Sequence, residues 1–176
     1  MPEELIALGY QARREGRRED ARKFFCESVE LCRGGDDQSL LARALSGLAQ
    51  IERDFGNRGA AIECYREAVD ILRSGADPLS FAHTIRHLGD VLRGDGSLEE
   101  AAPCYEEALR IYCNSGETSA LDLANTLRGF ALLRGAVGEA EEAMSLWRDA
   151  RGLYESVNVE AGVRESDEQI ARLMAK

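Results

Sequence analysis

Leu98-Glu99-Glu100-Ala101-Ala102-Pro103-Cys104-Tyr105-Glu106-Glu107-Ala108-Leu109 is the stretch on which the reading of this chain turns. Ala101 is followed four residues on by Tyr105 and three further by Ala108. The same triplet stands at Ala21, Phe25, Ser28, at Ala61, Tyr65, Ala68, and at Ala143, Trp147, Ala150, with spacings of 40, 40 and 42. Five residues before each alanine sits a glycine: Gly16, Gly56, Gly96 and Gly138. A fixed period of this length marks stacked supersecondary units, each burying its apolar face against its neighbours.

Each unit reads as two helices. The first, helix A, carries apolar residues at helical spacing: Leu5, Leu8 and Gly9; Leu45, Leu48 and Ala49; Ile85, Leu88, Gly89 and Leu92; Leu127, Phe130 and Ala131. The small last member of each set lets a neighbouring helix come close. The in-register glycine suits a chain reversal. Helix B follows, with the alanine–aromatic–small triplet on its buried face. Ser97 and Glu100 have the spacing of a capping box, and Pro103 removes one backbone hydrogen bond inside helix B and bends it slightly. Breakers at 34–37, 74–78 and 114–116 end the B helices. The expected helices are 3–14, 18–33, 39–54, 58–73, 79–93, 97–113, 121–135 and 139–155. A ninth, 161–174, has one apolar and one charged face, as a terminal cap requires.

The fold class is therefore all-α: a right-handed superhelical array of four helix pairs plus a C-terminal capping helix. One domain, 1–176, is expected, with repeats at about 3–38, 39–78, 79–120 and 121–160. The net charge of -10, from 32 acids against 22 bases, argues against nucleic acid and anionic membranes as partners. No apolar run approaches the length of a bilayer span, and the N-terminus lacks the pattern of a secretory signal. The five cysteines form no Cys-x-x-Cys pair and fall on or beside packing faces. They read as small core residues in a reducing, cytoplasmic setting. Of the 22 bases only Lys23 and Lys176 are lysines.

The pattern Ile85-x2-Leu88-Gly89 followed by Ala101-x3-Tyr105-x2-Ala108 resembles the tetratricopeptide repeat. The period of 40–42 and the proline inside helix B resemble the long repeats of kinesin light chains and of the Leu-Gly-Asn-rich adaptors. The resemblance covers residues 4–155 and implies a noncatalytic protein-binding array whose A helices line a concave groove. The paired asparagines frequent before the Leu of helix A in the kinesin light-chain type are replaced here by Ser46-Gly47, Arg86-His87 and Arg128-Gly129.

Helix A register then gives the candidate groove: Tyr10, Arg13, Arg43, Gln50, Arg53, His83, Arg86, His87, Asp90, Arg93, Asn125 and Arg128. Arg13, Arg53 and Arg93 share one register position, Arg86 and Arg128 another. Glu3 and Asp90 are the acids expected beside them. Arginine forks grip carboxylates, so the implied partner is a protein or peptide segment that is acidic or ends in a carboxylate. The competing readings are a solvated helix face, a self-associating homodimer, and a small-molecule or metal-responsive sensor using His83, His87 and Asp90. Arg86 and Arg93 oppose a cation there. Glu52 is expected to need a partner such as Arg13 or Arg93. No nucleophile, base and orienting group can be nominated together, and no phosphate or dinucleotide loop is present. No enzyme activity, cofactor or metal is expected.

Overall fold

The computed structural model describes residues 1–75 and 77–175. Ala76, within the 74–78 break, and Lys176 lie outside the described residues. Nine helices and no strand occur among the described residues: α1 (Pro2–Arg14), α2 (Arg18–Arg33), α3 (Gln38–Asp54), α4 (Arg58–Arg73), α5 (Pro78–Asp95), α6 (Leu98–Asn114), α7 (Ala120–Ala136), α8 (Ala140–Ser156) and α9 (Glu160–Met174). Each expected boundary lies within two residues of the observed one, the largest difference being the end of α5 at Asp95. Two compact units are distinguished, Met1–Thr84 and Ile85–Lys176, and the division falls inside α5.

In the first unit α1 packs on α2 and α3, and α3 on α4. The centre of the packing is Phe25, fully buried. A methyl group on Gly9 would lie 2.8 Å from its ring and one on Gly47 only 2.2 Å. Glycine at 47, where the resembled family carries asparagine, is thus demanded by the ring on the preceding helix B. Tyr10 meets the same ring edge-on, at a centroid distance of 5.0 Å. The first helix buries Ile6, Gly9 and Ala12, whereas the expected stripe of Leu5, Leu8 and Gly9 leaves Leu8 43% exposed. The face of α1 that carries Ile6, Gly9 and Ala12 is the one turned toward α2 and α3.

The second unit repeats the slot. Tyr105 is fully buried, and methyl groups on Gly89 and Gly129 would approach its ring to 3.2 and 2.6 Å. Phe130 stacks on it at 5.9 Å. Helix α9 packs on α8 and gives Gly162 to the ring of Tyr154, where a methyl would lie at 2.4 Å. Val163 joins Tyr154, Leu127 and Leu153 in one apolar cluster, and Leu173 shares a small cleft with Trp147. The ninth helix covers the last pair as expected of a cap.

All four A-to-B reversals are built alike. Gly16, Gly56, Gly96 and Gly138 have φ of +76°, +83°, +90° and +89°. The next residue donates its N–H to the carbonyl five back: Arg17 to Ala12, Asn57 to Glu52, Ser97 to Leu92 and Glu139 to Arg134, all at 2.9 Å. That is the Schellman closure, which glycine reaches without steric cost. At Ser97 the closure takes the backbone N–H that the Glu100 side chain of a capping box would serve. Ser97 is the N-cap of α6, but its side chain makes no capping bond, so the expected capping box is not formed. Side-chain caps occur instead at the starts of A helices, where Asp37 accepts from the Leu40 N–H at 2.9 Å and Ser119 from the Asp122 N–H at 3.0 Å. Helix α6 runs unbroken through Pro103. Of the cysteines, Cys32 and Cys104 are buried and Cys26 and Cys64 half-buried, but Cys113 is exposed, against expectation.

Candidate functional site

In the first unit a cavity of about 590 Å³ opens between α1, α3, the end of α4 and the first turns of α5. Four expected groove residues line it: Tyr10, Arg43, Gln50 and His83. Arg13 and Arg53 do not. Arg13 donates through Nε to Asp54 Oδ2 at 2.6 Å and through Nη1 to Gln50 Oε1 at 3.1 Å. Arg53 Nη2 lies 3.7 Å from the other oxygen of Asp54. Asp54, not Glu3, is the acid that balances this pair, because the last turn of α3 brings it beside Arg13 of α1. Arg43 is exposed and donates to no other side chain among the described residues. Burial raises the phenol pKa of Tyr10, with Arg43 and Arg13 pulling the other way.

The rest of the cavity wall was not legible as groove. Leu72 comes from the end of α4, and Leu79, Ser80 and Thr84 from the start of α5. Ser46 of α3 donates to the Ala42 carbonyl at 2.9 Å, and Thr84 to the Ser80 carbonyl at 2.8 Å. Asp77 caps α5, accepting from the Leu79 and Ser80 N–H groups at 3.1 and 3.0 Å and from the Ser80 hydroxyl at 2.5 Å. The Ser80 hydrogen bonds hold its carboxyl below the usual range. The Asp77-Pro78 start signal could have placed that first turn, but not the side chains facing α3.

In the second unit the candidate residues are largely engaged with one another. Arg86 is only 6% exposed. It donates to Asp90 Oδ2 at 3.0 Å and lies 2.8 Å from His87 Nε2. Tyr105 donates to Asp90 Oδ1 at 2.8 Å, and Arg93 Nε approaches the Tyr105 hydroxyl at 3.3 Å. Burial drives the Tyr105 phenol far above its ordinary pKa, the Asp90 charge adds to this, and Arg93 opposes it. Arg128 grips Glu165 of α9 with both teeth of its fork, at 2.6 and 2.7 Å. Asn125 accepts from the Tyr154 hydroxyl at 2.8 Å. The arginines expected to be open are therefore partly engaged: Asp54 meets Arg13 and Arg53, Asp90 meets Arg86, and Glu165 meets Arg128. Arg86 stands between His87 and Asp90, where the sensor reading placed a cation. Glu52 is paired with Arg22 at 2.5 Å and Asn57 at 2.7 Å, not with Arg13 or Arg93.

The repeat geometry agrees with the tetratricopeptide repeat pattern, which matches residues 4–74 and 80–156. The chain belongs to the tetratricopeptide repeat family. No curated protein sequence matches it. Among solved structures it is similar to aspartyl phosphate phosphatase F from Bacillus subtilis, with a TM-score of 0.84 at 12% identity over 96% of this chain and 44% of that one. The nearly identical TPR-like repeats of a Podosopora anserina kinesin light chain give 0.75 at 15% identity, over 99% and 97%. BtubC (BKLC) from P. vanneervenii gives 0.74 at 16%, over 98% and 79%. At these identities the likeness is one of fold. Tetratricopeptide repeats present binding surfaces to protein partners and are typically noncatalytic scaffolds. Among the described residues no helix is long and apolar enough to cross a membrane.

Proposed function

We propose that this tetratricopeptide repeat protein is a noncatalytic adaptor for an acidic protein segment, held in the cavity of the Met1–Thr84 unit. The observation that carries the reading is Arg43: an exposed cation that donates to no other side chain among the described residues, on the wall of a cavity of about 590 Å³. The volume is within the range of ligand sites. Tyr10, Leu72 and Leu79 supply apolar contact beside it. We take the four repeats and α9 as one binding domain, working in a reducing cytoplasm, which the five free thiols support.

The test is the variant Arg43→Glu. Partners retained from native lysate by the immobilised wild-type chain should bind the variant at least tenfold more weakly, which is about 1.4 kcal/mol, and wild-type binding should weaken as salt rises. Partner affinity indifferent to both would move the binding site elsewhere.

A further inference from the structure

We infer that the small cleft between α7, α8 and α9 binds a small organic monocarboxylate, its single ring or short chain against Trp147 and its carboxylate on Arg172. The cleft lies wholly in the Ile85–Lys176 unit and the inference does not draw on the adaptor reading.

Size limits the ligand first. The cleft has a volume of about 200 Å³. An apolar cavity of about 150 Å³ takes a benzene molecule, whereas ligands of drug size occupy about 300 Å³ or more. One ring or a few carbons fit; a peptide segment does not. The space exists because α7 presents Ala131, Gly135 and Ala136 there, with nothing longer than a methyl group. Gly135 is the telling member. Gly47 and Gly129 are demanded by rings that fill the place of their side chains. At Gly135 a methyl would meet only Ala143 and Leu173, both at 3.9 Å, which is ordinary contact. Glycine within a helix is less stable than alanine, and here no packed ring requires it. What its lack of a side chain leaves is room.

Charge limits the ligand next. Gln169, Arg172 and Leu173 stand at i, i+3 and i+4 of α9 and share one face. All three line the cleft, with Trp147, the only tryptophan of the chain, across from them on α8. Arg172 is exposed and donates to no other side chain among the described residues. Its guanidinium has donors only, in a fork that fits a carboxylate, and the Gln169 amide can add an N–H. No acid lines the cleft, in a chain whose net charge is -10. A cationic ligand would find no counter-charge there. A dianion such as a phosphate monoester would bring a second charge with no cation to receive it. One negative charge on a small apolar body matches both the single arginine and the volume.

The experiment uses the full chain and three probes: phenylacetate, benzoate and hexanoate. Trp147 fluorescence reports on the cleft, and isothermal titration calorimetry registers binding to which the indole is blind. At least one probe should bind saturably, with acetate without effect. Phenylacetamide, which keeps the ring and loses the charge, should bind about tenfold more weakly than phenylacetate. Arg172→Gln should weaken the carboxylates by about the same factor and bring acid and amide together, and its exposed position leaves the fold intact by circular dichroism. Gly135→Leu, which fills the cleft, should abolish the fluorescence response. Three outcomes overturn the inference: no saturable binding of any probe by either method, equal affinity for phenylacetate and its amide, or carboxylate affinity unchanged in Arg172→Gln. The Arg172→Gln result decides the matter even if Gly135→Leu fails to fold.

Discussion

Two glycines of the chain sit at opposite ends of one physical scale. Gly47 faces the Phe25 ring so closely that any side chain must displace it, whereas Gly152, inside α8, has nothing within 4 Å of where a methyl would go. Gly47→Ala should therefore cost about 1–3 kcal/mol through overpacking. Gly152→Ala should stabilise by about 0.5–1 kcal/mol through helix propensity. Urea titration of both variants checks the pair, and a Gly47→Ala protein as stable as wild type would refute the slot. Tyr112 gives a pH prediction. It is buried, and its hydroxyl lies near Arg86 and Asp122. Burial raises its pKa to about 12, with Asp122 adding and Arg86 opposing. A raised folded-state pKa means that the contribution to stability is whole below pH 10 and is lost as the pH climbs toward 12. Tyr112→Phe should flatten that alkaline decline in denaturation curves recorded from pH 9 to 12. An unchanged slope would show that other groups govern it.

The helices are started by two different devices, and substitutions can tell them apart. Asp37 closes the start of α3 with its carboxylate, so Asp37→Ala should cost about 0.5–2 kcal/mol. Ser97 makes no such bond, and Ser97→Ala should leave the melting temperature nearly unchanged despite the favourable-looking sequence. The start of α6 depends on the residue before it. Gly96 at φ +90° cannot become alanine without strain, and Gly96→Ala should cost about 1–2 kcal/mol. If thermal melts rank Ser97→Ala as the costlier change, the turn is not what holds the pair together. In each reversal the N–H of the residue after the glycine closes on the carbonyl five back, and this backbone closure is repeated four times.

Removal of residues 160–176 tests the role of the ninth helix. Gly162 and Ser166 are buried against the unit, and Glu165 ties α9 to Arg128. Without α9, the Tyr154 ring and the flank near Trp147 meet water. The shortened chain should melt at lower temperature and associate through the uncovered face, as seen by light scattering. A monomer of unchanged stability would reduce α9 to an appendage. The same deletion frees the Arg128 fork, so any new affinity for anions in the shortened protein would report on that arginine alone.

The sequence alone determined the helices, their pairing, the four glycine reversals and the burial of Phe25, Tyr65, Tyr105 and Trp147. All of these rest on local spacing: a 3.6-residue period, a left-handed glycine, a triplet that recurs. It also named the cavity residues Tyr10, Arg43, Gln50 and His83, since helix register places side chains on a face. Which charges remain open was decided only by tertiary structure. Asp54 reaches Arg13 from 41 residues away and Glu165 reaches Arg128 from 37. No periodicity carries such a pairing, because it depends on how two helix faces meet in space. The same holds for Leu8, left exposed by the way α1 packs on α2 and α3, and for the α5 hydroxyls that complete the cavity wall opposite α3.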